Sequence, residues 1–498
     1  MRPVIAVLPV MVRSILAQKY EFALLVANAN RIYHYMAMRF LYHTLLILLA
    51  GSCVMSVTAK PNFVFIIADD CTFRDVGCYG GQAKTPNIDK LANEGMQFSR
   101  CFQTAPMCSP TRHNLYTGLY PVKSGAYPNH TFVKDGTKSV VHYLKPKGYR
   151  VALSGKTHIN PRKVFQFEYS TKANNPDLDK IDELFSECAD GKTPFCLFAC
   201  SNEPHSPWDK GNLSDYNPET IKLPPYFVDT PETRDAYCRY LAEIGYFDWQ
   251  VGQVLNKLDK HGLSEDTLVM VVSEQGSGFP FAKWTCYENG LQSAMVVRWP
   301  GKVKAGSKTS AMVEYVDVLP TFLEAAGGNI SKVLEGKSFL PVLLGKESSH
   351  KKYVYGLMTT RGINNGSETF GIRSVRGERY KYIWNFTPQI EFKNACTQSI
   401  TFKSWVKKAE NGDGDAKDKV RRYQRRPEVE VYDLQNDPYE WNNLAGNEGV
   451  KPEQSRLARV LKEWMKAQGD KGQETELAAL ERQRRGKKKK GTIKKQKS

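Results

Sequence analysis

The sequence predicts an α/β fold with a mainly parallel central sheet flanked by helices, followed by a smaller C-terminal α+β domain. Three observations carry this. Four apolar runs have the length of strands covered on both faces, and each runs directly into polar or ionisable residues. Helical patterns lie between those runs. Past about Leu344 the pattern changes to short alternating segments.

Taken in order, Phe63–Ala68 is the first strand and leads into Asp69-Asp70. Thr85 to Gly95 reads as a helix, with a cap at Thr85, Pro86 at its first position and a glycine stop. Ile88, Leu91 and Ala92 share its inner face. Arg150–Ser154 is the second strand and leads through Gly155 to Lys156 and His158. Phe195–Cys200 leads to Glu203 and His205. From Arg234 to Lys257, Tyr237, Leu241, Ile244, Val251 and Leu255 recur at helical spacing. Leu268–Val272 leads into Ser273-Glu274-Gln275-Gly276. Active sites of such sheets lie beyond the carboxyl ends of the strands, and all four runs place ionisable residues there.

In the C-terminal part, Arg373–Arg376, Arg379–Ile383 and Val429–Leu434 read as antiparallel strands. A basic polar insertion covers roughly Lys403 to Arg426, and Pro452–Gln468 reads as a helix. The expected division is an extension and signal peptide over 1–59, a catalytic domain over 60–345, a smaller domain over 346–470 and a basic disordered tail over 471–498.

Composition bounds the function. The chain has 498 residues, 41% of them hydrophobic, enough for a large core. Net charge is +18, but ten Lys or Arg and no acid lie from Arg482 onward, which leaves +8 for the rest. That tail reads as solvated, and nucleic acid is not an expected partner. Near the start, Arg39, the apolar run Leu45–Ala50 and Val57-Thr58-Ala59 have the order of a signal peptide. The expected start is Met36 or Met38, with residues 1–35 a mis-assigned extension and cleavage after Ala59. The protein is then exported, periplasmic or secreted. The uninterrupted run is far short of the roughly 20 residues of a membrane span, so no stable anchor is expected. Of eleven cysteines, Cys53 would leave with the signal; the spacing of the rest shows no zinc pattern and assigns no disulfide.

The most informative run is Pro106-Met107-Cys108-Ser109-Pro110-Thr111-Arg112. Ser109 can cap a helix beginning at Pro110, which places Cys108 at the positive end of a helix, where an anion is favoured. Arg112 adds a charge one turn in. Alone, these residues also fit a structural cysteine before an ordinary helix. The following Leu115, Thr117 and Gly118 extend the match.

Together with Asp69-Asp70, Gly155-Lys156-Thr157-His158, Pro204-His205-Ser206-Pro207, Lys283-Trp284 and Val431-Tyr432-Asp433-Leu434, this run resembles the type I sulfatases of the alkaline phosphatase superfamily. The resemblance covers nearly all of residues 61–470 and implies an alkaline-phosphatase-like fold. It implies that a maturation enzyme converts Cys108, within Cys-x-Pro-x-Arg, to Cα-formylglycine. It further implies a divalent cation, calcium or alternatively magnesium, held by Asp69, Asp70, Glu274, Gln275 and the modified residue 108. The family's second ligand pair is normally Asp-Asn; here it is Glu274-Gln275, each one methylene longer. All four remain hard oxygen donors. By the same resemblance, Arg112, Lys156 and Lys283 neutralise sulfate and the aldehyde hydrate, His158 assists the diol and His205 protonates the leaving group. His130, in Tyr127-Pro128-Asn129-His130, is a candidate substrate contact, and His113 a packing residue.

The expected function is hydrolysis of sulfate esters on a sulfated glycan or small sulfate ester. The alternatives are S–N cleavage of glucosamine N-sulfate, phosphonate or phosphate ester hydrolysis, and non-catalytic glycan binding. The intact set of charged and nucleophilic residues argues against the last.

Overall fold

In the computed structural model the four strands expected from the sequence lie side by side in one sheet. The structure describes residues 8–52, 60–170 and 174–483. The sheet comprises β1 (Asn62–Ile67), β2 (Met96–Phe102), β3 (Arg150–Gly155), β4 (Glu168–Tyr169), β5 (Phe195–Cys200), β6 (Thr267–Val272), β7 (Gln292–Arg298), β8 (Ser307–Thr309) and β9 (Val313–Glu314). Its order is β4-β3-β5-β1-β6-β7-β2-β8, with β9 beside β2. From β4 to β6 all pairings are parallel; β7 runs antiparallel to β6 and to β2.

Register decides where the chemistry collects. Ile67 is level with Cys200 and with Val272, and Cys200 is level with Gly155. The residues that follow these four positions therefore leave the sheet at one height. The apolar runs are continuous because both faces are covered. Val64 and Ile66 enter one core, while Phe63, Phe65 and Ile67 enter the other.

Two helices behave as expected with one difference each. α1 (Pro86–Glu94) buries Ile88, Leu91 and Ala92. Thr85 does not cap it through its side chain: its Oγ1 accepts from Gly77 N and donates to Asp89. The free amides of Asn87 and Ile88 donate instead to the Asp248 carboxylate. Asp248 lies on the second helix (Pro231–Lys260), which extends beyond the expected limits at both ends and whose N-cap, Thr230, accepts from Thr233 N.

The second sheet is antiparallel, in the order β10 (Val354–Thr359), β11 (Gly371–Arg376), β12 (Tyr380–Asn385), β13 (Val429–Asp433). Leu457 and Leu461 of the helix Lys451–Gln468 pack on it with Val375 and Val431. The expected boundary at 345/346 is not a gap in packing. Ile372 and Ile383 of this sheet share a core cluster with Val64 and Ile66 of the central sheet, and the described residues from Lys60 onward form one unit.

One segment gains structure the sequence reading leaves open, and one expectation needs correction. The basic polar insertion Lys403–Arg426, to which the sequence reading gives no secondary structure, forms a pair of amphipathic helices, Ile400–Glu410 and Gly414–Gln424. Their Lys and Arg face outward, which hid an inner face of Phe402, Trp405, Ala416 and Tyr423, all buried. The tail does not begin at 471. Gln473–Leu477 is helical and Ala478–Arg482 forms a 3-10 turn. The buried Arg373 guanidinium draws this segment in, pairing with Asp470 at 2.5 Å and Glu476 at 2.9 Å. Residues 484–498 lie outside the described residues.

The described residues of the N-terminal unit form one helix, Leu8–Ser52. The expected cleavage site at Ala59 lies outside the described residues. Among the described residues no helix is long and apolar enough to cross a membrane. Every cysteine among them is a free thiol.

The docking of the insertion is directly testable. Trp405 is fully buried and its indole N–H donates to Thr233 Oγ1 at 2.8 Å. Trp405→Ala is expected to cost about 3–5 kcal/mol, read as a clear fall in thermal midpoint. A solvated insertion would leave the midpoint unchanged.

Candidate active site

The site is assembled at the carboxyl ends of β3, β5, β1 and β6. Asp69 and Asp70 follow β1, Lys156 follows β3, Glu203 and His205 follow β5, and Glu274 and Gln275 follow β6. The helix Cys108–Thr117 closes the group from the side. It starts two residues earlier than the sequence suggests. Met107 is its N-cap, and Met107 C=O accepts from Thr111 N at 3.2 Å. Pro110 thus occupies the third helical position, where its missing N–H is still one of the helix's unpaired donors. Thr111 Oγ1 anchors this turn by donating toward Ala105 O and Gln103 Oε1.

One ligand atom from each of Asp69, Asp70, Cys108 and Glu274 falls within 4.8 Å of the others, and all four residues are buried. Gln275 closes the cluster: its Nε2 donates to Asp70 Oδ1 at 2.6 Å and Asp69 Oδ1 at 3.1 Å, and lies 3.4 Å from Cys108 Sγ. Three cationic side chains surround the carboxylates. Lys283 Nζ is 2.6 Å from Asp70 Oδ2, Lys156 Nζ contacts Asp69 Oδ2, and Arg112 Nε is 2.8 Å from Glu274 Oε1. His205 Nε2 stands 3.6 Å from Asp70 Oδ2.

These residues fit a divalent cation. Both oxygens of Glu274 and Oε1 of Gln275 are buried without a hydrogen bond. The Arg112 contact to Glu274 is a close ion pair rather than an aligned hydrogen bond. Buried acceptors left in this state are costly, and a hard cation satisfies them. Presenting Gln275 Oε1 in place of Nε2 needs only a turn of its amide. The extra methylene of Glu274 and Gln275 does not keep them out of the cluster.

Burial sets the electrostatics. It pushes the Cys108 thiol up to about 12, with Lys283 and Arg112 opposing it and Asp70 and Glu274 adding to it. An unmodified Cys108 is therefore protonated at neutral pH and a poor nucleophile. Burial also raises Glu274 against the pull of Arg112. For Asp70 burial acts upward, but the attraction of Lys283 and His205 wins and its pKa is lowered. Burial brings Lys156 down to about 8. It takes His158 well below the usual imidazole value, with Lys156 and His130 adding to the effect. The Asp70 carboxylate pulls His205 up, yet burial, Lys283 and Lys156 together leave it lowered.

A cavity of about 470 Å³ opens over this cluster. Asp70, Cys108, His130, His158, His205 and Lys283 line it. Arg112 lies behind Cys108, fully buried, with Nη1 donating to Lys156 O at 3.1 Å. His130 and His158 meet edge to face at 4.8 Å, which puts the candidate substrate histidine in the wall. His113 is a packing residue, hydrogen-bonded to Ser109 O and to the backbone of Asn160.

Several residues that support the site or line its cavity were not read from the sequence. Asn202 accepts from Lys156 Nζ at 3.2 Å; its place two residues before Pro204-His205 was an available signal. Trp208 stacks on Phe279 at 4.9 Å, beside Trp284. Gly362–Asn364 and Ala395–Thr401 supply a further rim, and nothing in their composition marks them.

Comparison with known proteins gives the same reading. The sulfatase family model matches residues 61–328, and a model described as N-sulphoglucosamine sulphohydrolase, C-terminal, matches 276–395. An ulvan-active sulfatase of Formosa agariphila is 36% identical over 426 residues, covering 83% of this chain and 82% of that protein. Human N-sulphoglucosamine sulphohydrolase is 27% identical, covering 84% and 91%. A structure solved with its substrate D-glucosamine-2-N,6-O-disulfate shares the fold, with a TM-score of 0.62 at 20% identity, covering 83% of this chain and 99% of that one. Strand-end carboxylates, a buried cysteine at a helix start and these matches meet in one conclusion: the chain belongs to the sulfatase family, the hydrolases of sulfate esters.

Proposed function

We propose that this sulfatase removes sulfate from a sulfated glycan, using a formylglycine formed from Cys108 and a divalent cation held by Asp69, Asp70, Glu274 and Gln275. The observation that carries the proposal is the buried group of Asp69, Asp70, Glu274 and Cys108 within 4.8 Å, opening on a cavity. A thiol raised to about 12 needs conversion before it can serve. Once converted, position 108 supplies a hydrated aldehyde as nucleophile toward sulfur. The cation supplies charge neutralisation and polarises the sulfate group.

The chain's own residues do the rest. Lys283 and Lys156 pair with Asp70 and Asp69 at the edge of the cluster, within reach of sulfate oxygens. Arg112 lies behind residue 108 and fixes Glu274. His158 faces the same cavity and, kept neutral by burial, is suited to accept a proton from the diol. His205 Nδ1 donates to Ser206 O at 2.7 Å, which orients the ring and turns Nε2 toward the cavity; in its imidazolium form the ring carries a second proton on Nε2 that it can hand to the leaving oxygen.

A cavity of about 470 Å³ with the aromatic walls of Trp208, Phe279 and Trp284 suits a sugar unit. The relatives' names, an ulvan-active sulfatase and an N-sulphoglucosamine sulphohydrolase, support a sulfated glycan. The signal-like segment ending at Ala59 supports export, where such polymers are met. A second reading is S–N cleavage, favoured by the C-terminal match over 276–395, which includes Lys283 and the rim Gly362–Asn364.

Cys108→Ala is expected to bring sulfate release to background on every substrate; retained turnover would exclude residue 108 as nucleophile. Chelation is expected to abolish hydrolysis and lower the thermal midpoint, and calcium to restore both. Calcium at a hundred times its dissociation constant should add about 2.7 kcal/mol; a midpoint indifferent to chelator and calcium would remove the cation from this site. His205→Ala is expected to slow alkyl or sugar sulfates by about 10²–10⁴ and aryl sulfates with good leaving groups far less. Equal losses on both would assign His205 another role. A panel of O-sulfated and N-sulfated oligosaccharides, with phosphate and phosphonate esters alongside, separates the readings. O-sulfate release is expected to dominate.

A further inference from the structure

Glu243 is a buried carboxylic acid that the mechanism does not use. It lies on the helix Pro231–Lys260 and is fully shielded from solvent. Its Oε1 accepts from the backbone amides of Asp209 at 2.6 Å and Lys210 at 3.0 Å. Those amides close the loop that leaves β5 at Glu203 and carries His205 and Trp208, both of which line the catalytic cavity. One residue further, Gly211 at φ +77° packs on the helix, where a Cβ would meet Ala242 O at 2.0 Å. The loop is thus seated on the helix at one end. At the other it is seated on the sheet, where Glu203 O accepts from Asp69 N at 3.0 Å. Between the two, Trp208 Nε1 donates to Pro204 O at 2.8 Å.

The second oxygen of Glu243 identifies the state of the acid. Glu243 Oε2 and Glu203 Oε2 are both buried, and neither has a donor. The two carboxyl groups lie within hydrogen-bonding reach of each other. Lys210 Nζ leaves these two oxygens bare, because it pairs with Glu203 Oε1 at 3.2 Å and Asp209 Oδ1 at 2.9 Å. Asn175 Nδ2 donates to the same Glu203 Oε1 at 2.8 Å. Two buried carboxylates side by side cannot both stay ionised at low cost. One proton between them satisfies both bare oxygens. Burial pushes Glu243 up to about 8, with the Lys210 amide opposing and Glu203 adding to the rise. The proton therefore sits on Glu243 at neutral pH.

We infer that Glu243 is a positioning residue for His205: as a neutral acid it donates from Oε2 to Glu203 and accepts the Asp209 and Lys210 amides at Oε1, which fixes the loop that aims His205 at the leaving group. This rests on the proposed role of His205 as proton donor. Glu243 itself touches no substrate; it acts through the loop. A ring misplaced by about 1 Å costs up to about a hundredfold in rate. An aryl sulfate with a good leaving group needs no proton at that oxygen, so its hydrolysis does not depend on where the ring points. The dependence on leaving group separates loss of aim from general loss of structure.

The test compares Glu243→Gln and Glu243→Met with the parent enzyme. Glutamine keeps both sets of bonds, since its Oε1 can accept the two amides and its Nε2 can donate to Glu203. Methionine fills a similar volume and makes neither. With methionine, kcat on a sugar sulfate is expected to fall about tenfold to a hundredfold. On an aryl sulfate with a good leaving group it is expected to change by less than about twofold. Glutamine should keep both rates within about twofold of the parent. In the His205→Ala background, Glu243→Met is expected to add no further loss on the sugar sulfate. Hydrogen exchange in peptides covering residues 203–211 is expected to quicken with methionine and not with glutamine. If methionine prevents folding, Glu243→Asp, one methylene too short to reach both partners, takes its place with the same selective loss expected. Equal losses on the two substrates would make Glu243 a structural residue only and overturn the inference. Losses with glutamine as large as with methionine, full additivity with His205→Ala, or unchanged exchange over 203–211 would overturn it as well. If His205→Ala slows both substrates equally while methionine alone loosens 203–211, the proton-donor role of His205 fails and the seat of the loop on Glu243 stands.

Discussion

The constraint on which the site depends is the crowding of Asp69, Asp70 and Glu274 in a buried space. Parallel register brings them there, because Ile67, Cys200 and Val272 end level with one another. Buried carboxylates this close repel strongly unless compensated. Arg112, Lys156 and Lys283 supply three positive charges against the three negative ones. A divalent cation added to that balance leaves two positive charges in excess. A sulfate ester brings one negative charge and an ionised nucleophile brings another. A cation held by Asp69 and Asp70 would free the lysines that pair with those carboxylates to face the sulfate. In the proposed mechanism the same residues would balance the buried carboxylates without substrate and meet the anion with it.

Backbone conformation obeys the same demand. Asp70, His130, His158, Glu274 and Trp284 all adopt positive φ although none is glycine. Such conformations cost of order 1–3 kcal/mol each and persist where surrounding packing over-determines them. Each of these residues lies in the cluster or lines the cavity above it. Gly276, immediately after the cluster, has no room for a side chain, since a Cβ there would meet Asn289 O at 1.8 Å. The turn carrying Glu274 and Gln275 is therefore held against the segment C-terminal to Lys283.

Much of the catalytic half was legible in the sequence for a physical reason. A parallel strand buried on both faces is a continuous apolar run, and the residues at its carboxyl end must turn toward solvent or a site. That rule puts Asp69, Lys156, His205 and Glu274 at strand ends, while their roles come from the family resemblance. The start of the Cys108 helix was misjudged because the local preference of proline for a first position yielded to the anchoring of Thr111 by Gln103 and Ala105. The helices of residues 400–424 were hidden by their charge: a Lys-rich outer face masks a stripe made of few aromatic residues. The rim at Gly362–Asn364 and Ala395–Thr401 could not be read at all, because it is defined by distant segments meeting over the cavity.

The most direct measurement is the mass of the peptide containing Cys108 from active protein. Fully or largely converted formylglycine, in proportion to sulfate release, is the expected result. An intact thiol in protein that turns over sulfate esters at full rate would contradict the mechanism.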